Sequence, residues 1–280
     1  MLLLQFICFI LVILVTLLII IVFVSKMKFQ KNVKHEIDEL LQNKKQENEF
    51  VKEQDIKRLP PSVRRWLKYA QIVNKQKIKT VHVYQNAIMR LKPAKAWMTV
   101  SAQQYFNVDE PGFIWNAKIK VMPFVHIAGR DRYYSGRGNM LIKLLSFITV
   151  ANSKGEEMDQ GTLLRFLAET VWFPSAALSS YISWDEIDFY RARATMEYKG
   201  VKASGIFTFN DKGEVIKFEA DRFMEDEGEY KLRPWIISLT DYKQYNGIKV
   251  PNTGEVTWKL ETEDFTWFKF DILEIEYNEE

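Results

Sequence analysis

Two periodicities run through the chain, and one stretch has neither. Residues 2–24 are apolar at nearly every position, and no charged side chain occurs from Met1 to Ser25. From Lys77 onward the pattern is alternation. Ala96, Met98, Val100 and Ala102 stand between Trp97, Thr99, Ser101 and Gln103; Phe113, Trp115, Ala117, Ile119 and Val121 stand between Ile114, Asn116, Lys118 and Lys120. A period of two is that of a half-buried strand. It returns at 190–199, 201–209, 214–223, 235–245, 255–260 and 265–277. Asn210-Asp211-Lys212-Gly213 and Asn246-Gly247 separate such runs and have hairpin chemistry, because Asn and Gly tolerate positive φ. The sum predicts about nine to eleven antiparallel strands. So many twisted strands must curl, which gives a mainly β (α+β) fold with a strongly curved sheet or unclosed β-barrel.

Helical spacing marks three other places. After Pro60 and Pro61, suited to a helix start, come Val63, Trp66, Leu67 and Ala70. Residues 139–151 carry Leu141, Leu144, Leu145 and Ile148, and residues 158–172 carry Leu163, Leu164, Leu167 and Val171. Gly155 separates the last two and Pro174 ends the second. This predicts a helical insertion over 139–180, placed between two hairpin series so that it lids an open face of the sheet.

The unbroken apolar run fits a transmembrane helix: 23 residues at about 1.5 Å each span roughly 35 Å, enough for a hydrocarbon core. A cleaved signal peptide would want a basic start, a shorter run and a small-x-small site, all missing here. The bilayer is thus an expected partner, through residues 2–24. Charge divides the rest. Residues 26–75 hold 13 Lys+Arg against 7 Asp+Glu, a net of +6, and residues 76–280 hold 26 against 29, a net of −3. The plan read from this is an anchor at 1–25, a charged stalk or linker at 26–58 and a folded domain at 59–280. Lys26, Lys28, Lys31 and Lys34 follow the span before the first acid, so the positive-inside rule favours the cytoplasmic face for the domain.

Composition narrows the chemistry. One Cys, inside the apolar run, and three His exclude a zinc cluster or a disulfide framework, and no cofactor or metal is expected. Gly-x-Ser-x-Gly is missing, Glu225-Asp226-Glu227-Gly228-Glu229 lacks calcium-loop spacing, and the net-acidic domain argues against nucleic acid. What stands out is 8 Trp, 12 Tyr, 19 Phe and 9 Met, enough either to line a roomy apolar cavity or to fill a solid core.

The blocks Leu59-Pro60-Pro61-Ser62-Val63-Arg64-Arg65, Gly112-Phe113-Ile114-Trp115, Asp131 to Gly138, Arg165-Phe166-Leu167-Ala168-Glu169-Thr170-Val171-Trp172-Phe173-Pro174 and Trp184 with Asp188 resemble those of a bacterial family of unknown function, its members usually hypothetical proteins. No activity comes with that resemblance. The order helix, strands, helical insertion, strands is also similar to the lipoprotein-carrier fold, LolA/LolB-like, an unclosed barrel with helices over an apolar cavity. That likeness implies lipid binding, and it sets relatives on the outer side of the inner membrane against the charge argument. The chain departs from the carriers in its apolar span and in having no lipidated Cys.

Candidate ligand-binding residues follow. Arg165 and Glu169 share one helical face with Trp172 a turn further, either a head-group clamp at a pocket mouth or an i,i+4 salt bridge. Trp115, Phe124, Phe166 and Trp172 are expected to line the cavity. Asp131 and Tyr133 lead into Ser135-Gly136-Arg137-Gly138, read as a strand-to-helix junction that is a tight turn or, less simply, a phosphate cradle. The reading is a non-enzymatic, single-pass membrane protein that binds a lipid or other amphiphile. Its alternatives are a structural or protein-interaction module with a solid barrel, favoured if no cavity exceeds roughly 300 Å³, and a hydrolase whose Asp185, Glu186 or Asp188 converges near Arg165.

Overall fold

The structure, a computed structural model, describes residues 1–42, 49–226 and 228–278. Among the described residues there are four α-helices: α1 (Leu2–Leu41), α2 (Glu53–Ile56), α3 (Pro61–Tyr69) and α4 (Glu156–Glu169). Six strands precede α4: β1 (Thr80–Met89), β2 (Met98–Asn107), β3 (Gly112–Met122), β4 (Val125–Tyr134), β5 (Arg137–Leu144) and β6 (Ile148–Ser153). Seven follow it: β7 (Ile182–Glu186), β8 (Arg191–Tyr198), β9 (Val201–Phe209), β10 (Val215–Asp226), β11 (Glu229–Tyr245), β12 (Ile248–Lys259) and β13 (Asp264–Tyr277).

All thirteen strands form one antiparallel sheet in the order β6-β5-β4-β3-β2-β1-β13-β12-β11-β10-β9-β8-β7. The chain meanders from the middle of the sheet to one edge, crosses through α4 to the other edge, and meanders back until β13 pairs with β1. The sheet curls into a half-barrel with α4 on its concave face, against β4, β5, β8, β9 and β10. Alternation sets which side chains face inward: Val81, Val83, Gln85 and Ala87 are buried along β1 while Asn86 is exposed. Trp66 of α3 seals one part of the concave core, its ring about 6 Å from those of Trp184, Phe207 and Phe209. The Asn210 turn behaves as its residues predict. Its side-chain oxygen accepts from the backbone of Lys212 and Glu214, and Gly213, at φ 91, leaves room for the Arg65 carbonyl.

The sheet has thirteen strands rather than nine to eleven, and the additional ones correct the sequence reading. Residues 139–151, expected as a helix, are β5, β6 and the turn between them. Met140 and Ile142 face the concave side, while Leu141 packs outward under α1. A strand apolar on both faces has no period of two to display, and its leucines fall at helical spacing by coincidence. The helical insertion therefore covers 156–178 and not 139–180; it consists of α4 and two short 3₁₀ segments, Thr170–Trp172 and Pro174–Leu178. Likewise, Ser135 and Gly136, at φ 50 and 79, turn β4 into β5, so no helix follows that junction.

α1 continues without a break past residue 25 to Leu41. Its second half lies along the outer face of β3 and β4, burying Phe29, Val33 and Leu40 against Ile114 and Ala128. Glu36 pairs with Arg130 (3.0 Å) and Glu39 with Arg132 (3.0 Å), and Asn107 donates to the Leu40 carbonyl at 2.9 Å. The middle of the stretch expected as a stalk, residues 43–48, lies outside the described residues, as does Glu227.

Candidate functional site

Between α4 and the concave face lies a cavity of about 200 Å³. Its walls are aromatic, with Trp115, Trp172, Trp235, Trp267, Phe268 and Phe270, and its polar groups come from Gln85, Asp131, Arg165, Glu169 and Arg222. Arg165 is held on every side: Nε donates to Glu169 Oε1 at 2.8 Å, Nη1 to Asp131 Oδ2 at 2.7 Å and Nη2 to Gln104 Oε1 at 3.3 Å. Gln104 closes the ring by donating to Glu169 Oε2 at 2.7 Å. The guanidinium also lies about 5 Å over the rings of Phe113 and Trp115. Burial works against the Arg165 cation, but the carboxylates of Glu169 and Asp131 outweigh it and hold its pKa above the ordinary value. Burial likewise pushes the Glu169 carboxyl up, against the pull of Arg165. This cluster is self-satisfied, and it fixes α4 to β2 and β4.

Arg222, on β10, is different. Its Nε donates to the Gly161 carbonyl at 3.3 Å, and its terminal nitrogens make no hydrogen bond to a described residue. Its guanidinium stacks 4.8 Å from the Trp235 ring and 5.9 Å from Trp258. Burial, and then the nearby Arg165, lower its pKa to about 10, with Asp131 and Glu169 opposing. Those two carboxylates already belong to Arg165, so no acid is left for a second guanidinium. Three indole N–H groups of the lining, from Trp172, Trp235 and Trp267, are also buried without an acceptor among the described residues. A cavity with one underused cation and three unused donors is short of acceptors, and an oxyanion has the complementary chemistry.

Sequence reasoning brought five of its eight candidates here: Arg165, Glu169, Trp172, Trp115 and Asp131. Three lie elsewhere. Phe166 and Tyr133 are fully buried in the packed core, the Phe166 ring 6.1 Å from that of Phe106 and 5.4 Å from that of Phe173. Phe124 is fully exposed at the tip of the β3–β4 hairpin. Arg222 was missed. It stands on the concave face of β10 with Phe218, Ala220 and Met224, between charges on the other face, and the packing of Trp235 and Trp258 around it marks it out. Asp185, Glu186 and Asp188 do not line the cavity, and Asp188 is engaged by Arg191 at 2.7 Å. Among the described residues no group of three or more His, Cys, Asp or Glu side chains is placed to hold a metal ion.

Comparison with solved structures finds similar chains at low identity. A domain from Vibrio parahaemolyticus assigned as an outer membrane lipoprotein-sorting protein matches at 11% identity and a TM-score of 0.41, over 71% of this chain and 86% of that one. A DUF1329 family protein from Desulfovibrio piger matches at 9% and 0.42, over 78% and 92%. A LolA superfamily protein from Nitrosomonas europaea matches at 11% and 0.40, over 76% and 92%. No curated protein matches the chain. The model of a family of unknown function, DUF6544, matches residues 49–270, which take in the whole sheet but the second half of β13, so the chain belongs to that family.

Proposed function

We propose that this chain is a membrane-anchored binding protein whose cavity takes a single-chain amphiphile with an anionic head, the head at Arg222 and the tail between the tryptophans. The observation that carries the reading is Arg222: a partly buried cation packed on indole rings with no carboxylate hydrogen-bonded to it among the described residues, beside three buried indole donors without acceptors among them. A protein does not bury a guanidinium so at no cost, and a carboxylate or phosphate entering the cavity would offset that cost. The volume of about 200 Å³ limits the guest to one short chain and excludes a diacyl lipid in this conformation. α1 supplies the anchor. It is one helix long and apolar enough to cross a membrane, and its first half is exposed. The lysines after the span support the cytoplasmic face, which protease protection in sealed inverted vesicles tests, digestion of the domain being the expected result.

The test of binding uses the full chain in lipid nanodiscs, titrated with decanoate and, as a neutral control, decanol, while tryptophan emission is followed. Decanoate is expected to saturate and decanol to bind far more weakly. Absence of any saturable decanoate response, together with no bound amphiphile by native mass spectrometry, would refute the reading. The modest volume of the space under α4 supports a second reading, an interaction module with a nearly solid barrel interior, and that negative result would select it.

A further inference from the structure

The hairpins at one edge of the sheet carry side chains that no folded neighbour covers. The β3–β4 turn, Pro123-Phe124, exposes Phe124 completely and Met122 by 55%, and the β5–β6 turn exposes Phe147 and Ile148 by about half. The backbone at both tips is unusual. Phe124 has φ 64, and Leu145 and Ser146 have φ 52 and 60, left-handed positions that turns ordinarily give to Gly or Asn. Bulky apolar residues are thus kept where backbone sterics argue against them.

Position explains both features. α1 lies along the outer face of β3 with Leu40 near the β2–β3 turn and its other end at the opposite edge, where Ser25, Lys28 and Phe29 border the same crevice as Lys143, Ser146 and Phe147. The exposed apolar half of α1 therefore leaves the sheet at the level of the two hairpin tips. Behind the tips stand cations: Lys118 and Lys120 on the outer face of β3, Lys143 on β5, and Lys26 and Lys28 on α1. Further along this edge the β1–β2 turn exposes Leu91 beside Arg90, Lys92 and Lys95, while the turn between β12 and β13 is acidic, with Glu261, Glu263 and Asp264; the two apolar tips nearest α1 are those of β3–β4 and β5–β6.

We infer that the β3–β4 and β5–β6 hairpins dip into the bilayer interface beside the span, Phe124 and Phe147 among the upper acyl carbons and the lysines at the phosphates of anionic lipid. The inference rests on the anchoring reading above. It adds a second and third point of membrane contact, which fixes how the domain stands on the surface. A protein partner would meet the same side chains, but it would not require them to lie at the height where the span emerges.

The test keeps the full chain with Cys8→Ser and one introduced cysteine, Phe124→Cys, Phe147→Cys or, at the opposite edge, Asp109→Cys, each carrying an environment-sensitive fluorophore. Vesicles contain equal parts phosphatidylcholine and phosphatidylglycerol, with doxyl-labelled lipid as quencher. Labels at 124 and 147 are expected to shift to the blue and to be quenched several-fold more than the label at 109, at a depth of about 5–10 Å. Alkaline extraction of the same vesicles reads the anchor separately. A chain retained on the vesicles whose 124 and 147 labels are quenched no more than 109 refutes the hairpin contact alone. A chain released by alkali refutes the anchor and this inference with it.

Discussion

Replacing Arg222 by Met is expected to stabilise the unliganded protein while abolishing decanoate binding. The fold lowers the pKa of Arg222 from 12.5 to about 10, which at 1.36 kcal/mol per tenfold disfavours its cation by about 3 kcal/mol relative to water. Below pH 10 the folded and unfolded chains both keep the proton, so this cost is constant at neutral pH; it diminishes only as pH rises from 10 towards 12.5, where the unfolded chain binds more protons. Methionine retains much of the stem that packs on Trp235 and Trp258. It gives up the cation–π attraction, about 0.5–2 kcal/mol, and a long hydrogen bond to Gly161. The net expectation is a gain of about 1–2 kcal/mol, or a Tm higher by roughly 2–8 °C for a domain of this size. Thermal unfolding in nanodiscs by near-ultraviolet circular dichroism measures it, with and without decanoate. Decanoate should raise the wild-type Tm and leave the variant unmoved. A variant less stable than wild type that still responds to decanoate would show that Arg222 is a structural pair whose partner is satisfied without ligand, and the reasoning would fail.

Three further outcomes follow from the same geometry. Arg165→Met strands Asp131 and Glu169 in the interior and is expected to destabilise by about 3–5 kcal/mol, opposite in sign to Arg222→Met; urea unfolding compares the two. Gly138→Ala would put a methyl 2.4 Å from Thr162 Oγ1 and 2.5 Å from the Met158 carbonyl, so α4 must lift from β5, costing about 1–3 kcal/mol and loosening the cavity, seen as faster hydrogen exchange along α4. Burial, and then Lys118 and Lys26, depress the pKa of His126 below 6.5. Its unfolded form therefore takes up a proton first, and stability is full above pH 6.5 and falls as pH drops through the folded pKa; His126→Gln should flatten that part of the stability–pH curve, and an unchanged slope would remove His126 as its source.

The strands most readily read from the sequence are those with one wet face, such as β3 and β9, because burial on one side leaves a period of two. β5 was hidden because its outer face is also covered, by a helix more than a hundred residues earlier in the chain. The Arg165–Glu169 pair was legible from its spacing on α4, and Asp131 from its block, but their closure through Gln104 depends on strand register, which no local pattern carries. Phe124 was expected in the cavity because aromatic content cannot say which face a hairpin tip presents. Arg222 was invisible for a related reason: its significance lies in having no carboxylate nearby, a property of the assembled site.

The unbroken path of α1 from its apolar half onto β3 has a mechanical consequence. There is no hinge between residue 25 and Leu41, and the ion pairs of Glu36 and Glu39 rivet the helix to the sheet, so the apolar half of α1 and the domain turn as one rigid lever. A run of about 35 Å in a hydrocarbon layer of about 30 Å is accommodated by leaning roughly 30°. On the proposed anchoring, a change in bilayer thickness would rotate the whole half-barrel, because the lever has no joint. The orientation of the cavity towards the lipid surface would then be a function of the thickness of the layer that the apolar half crosses.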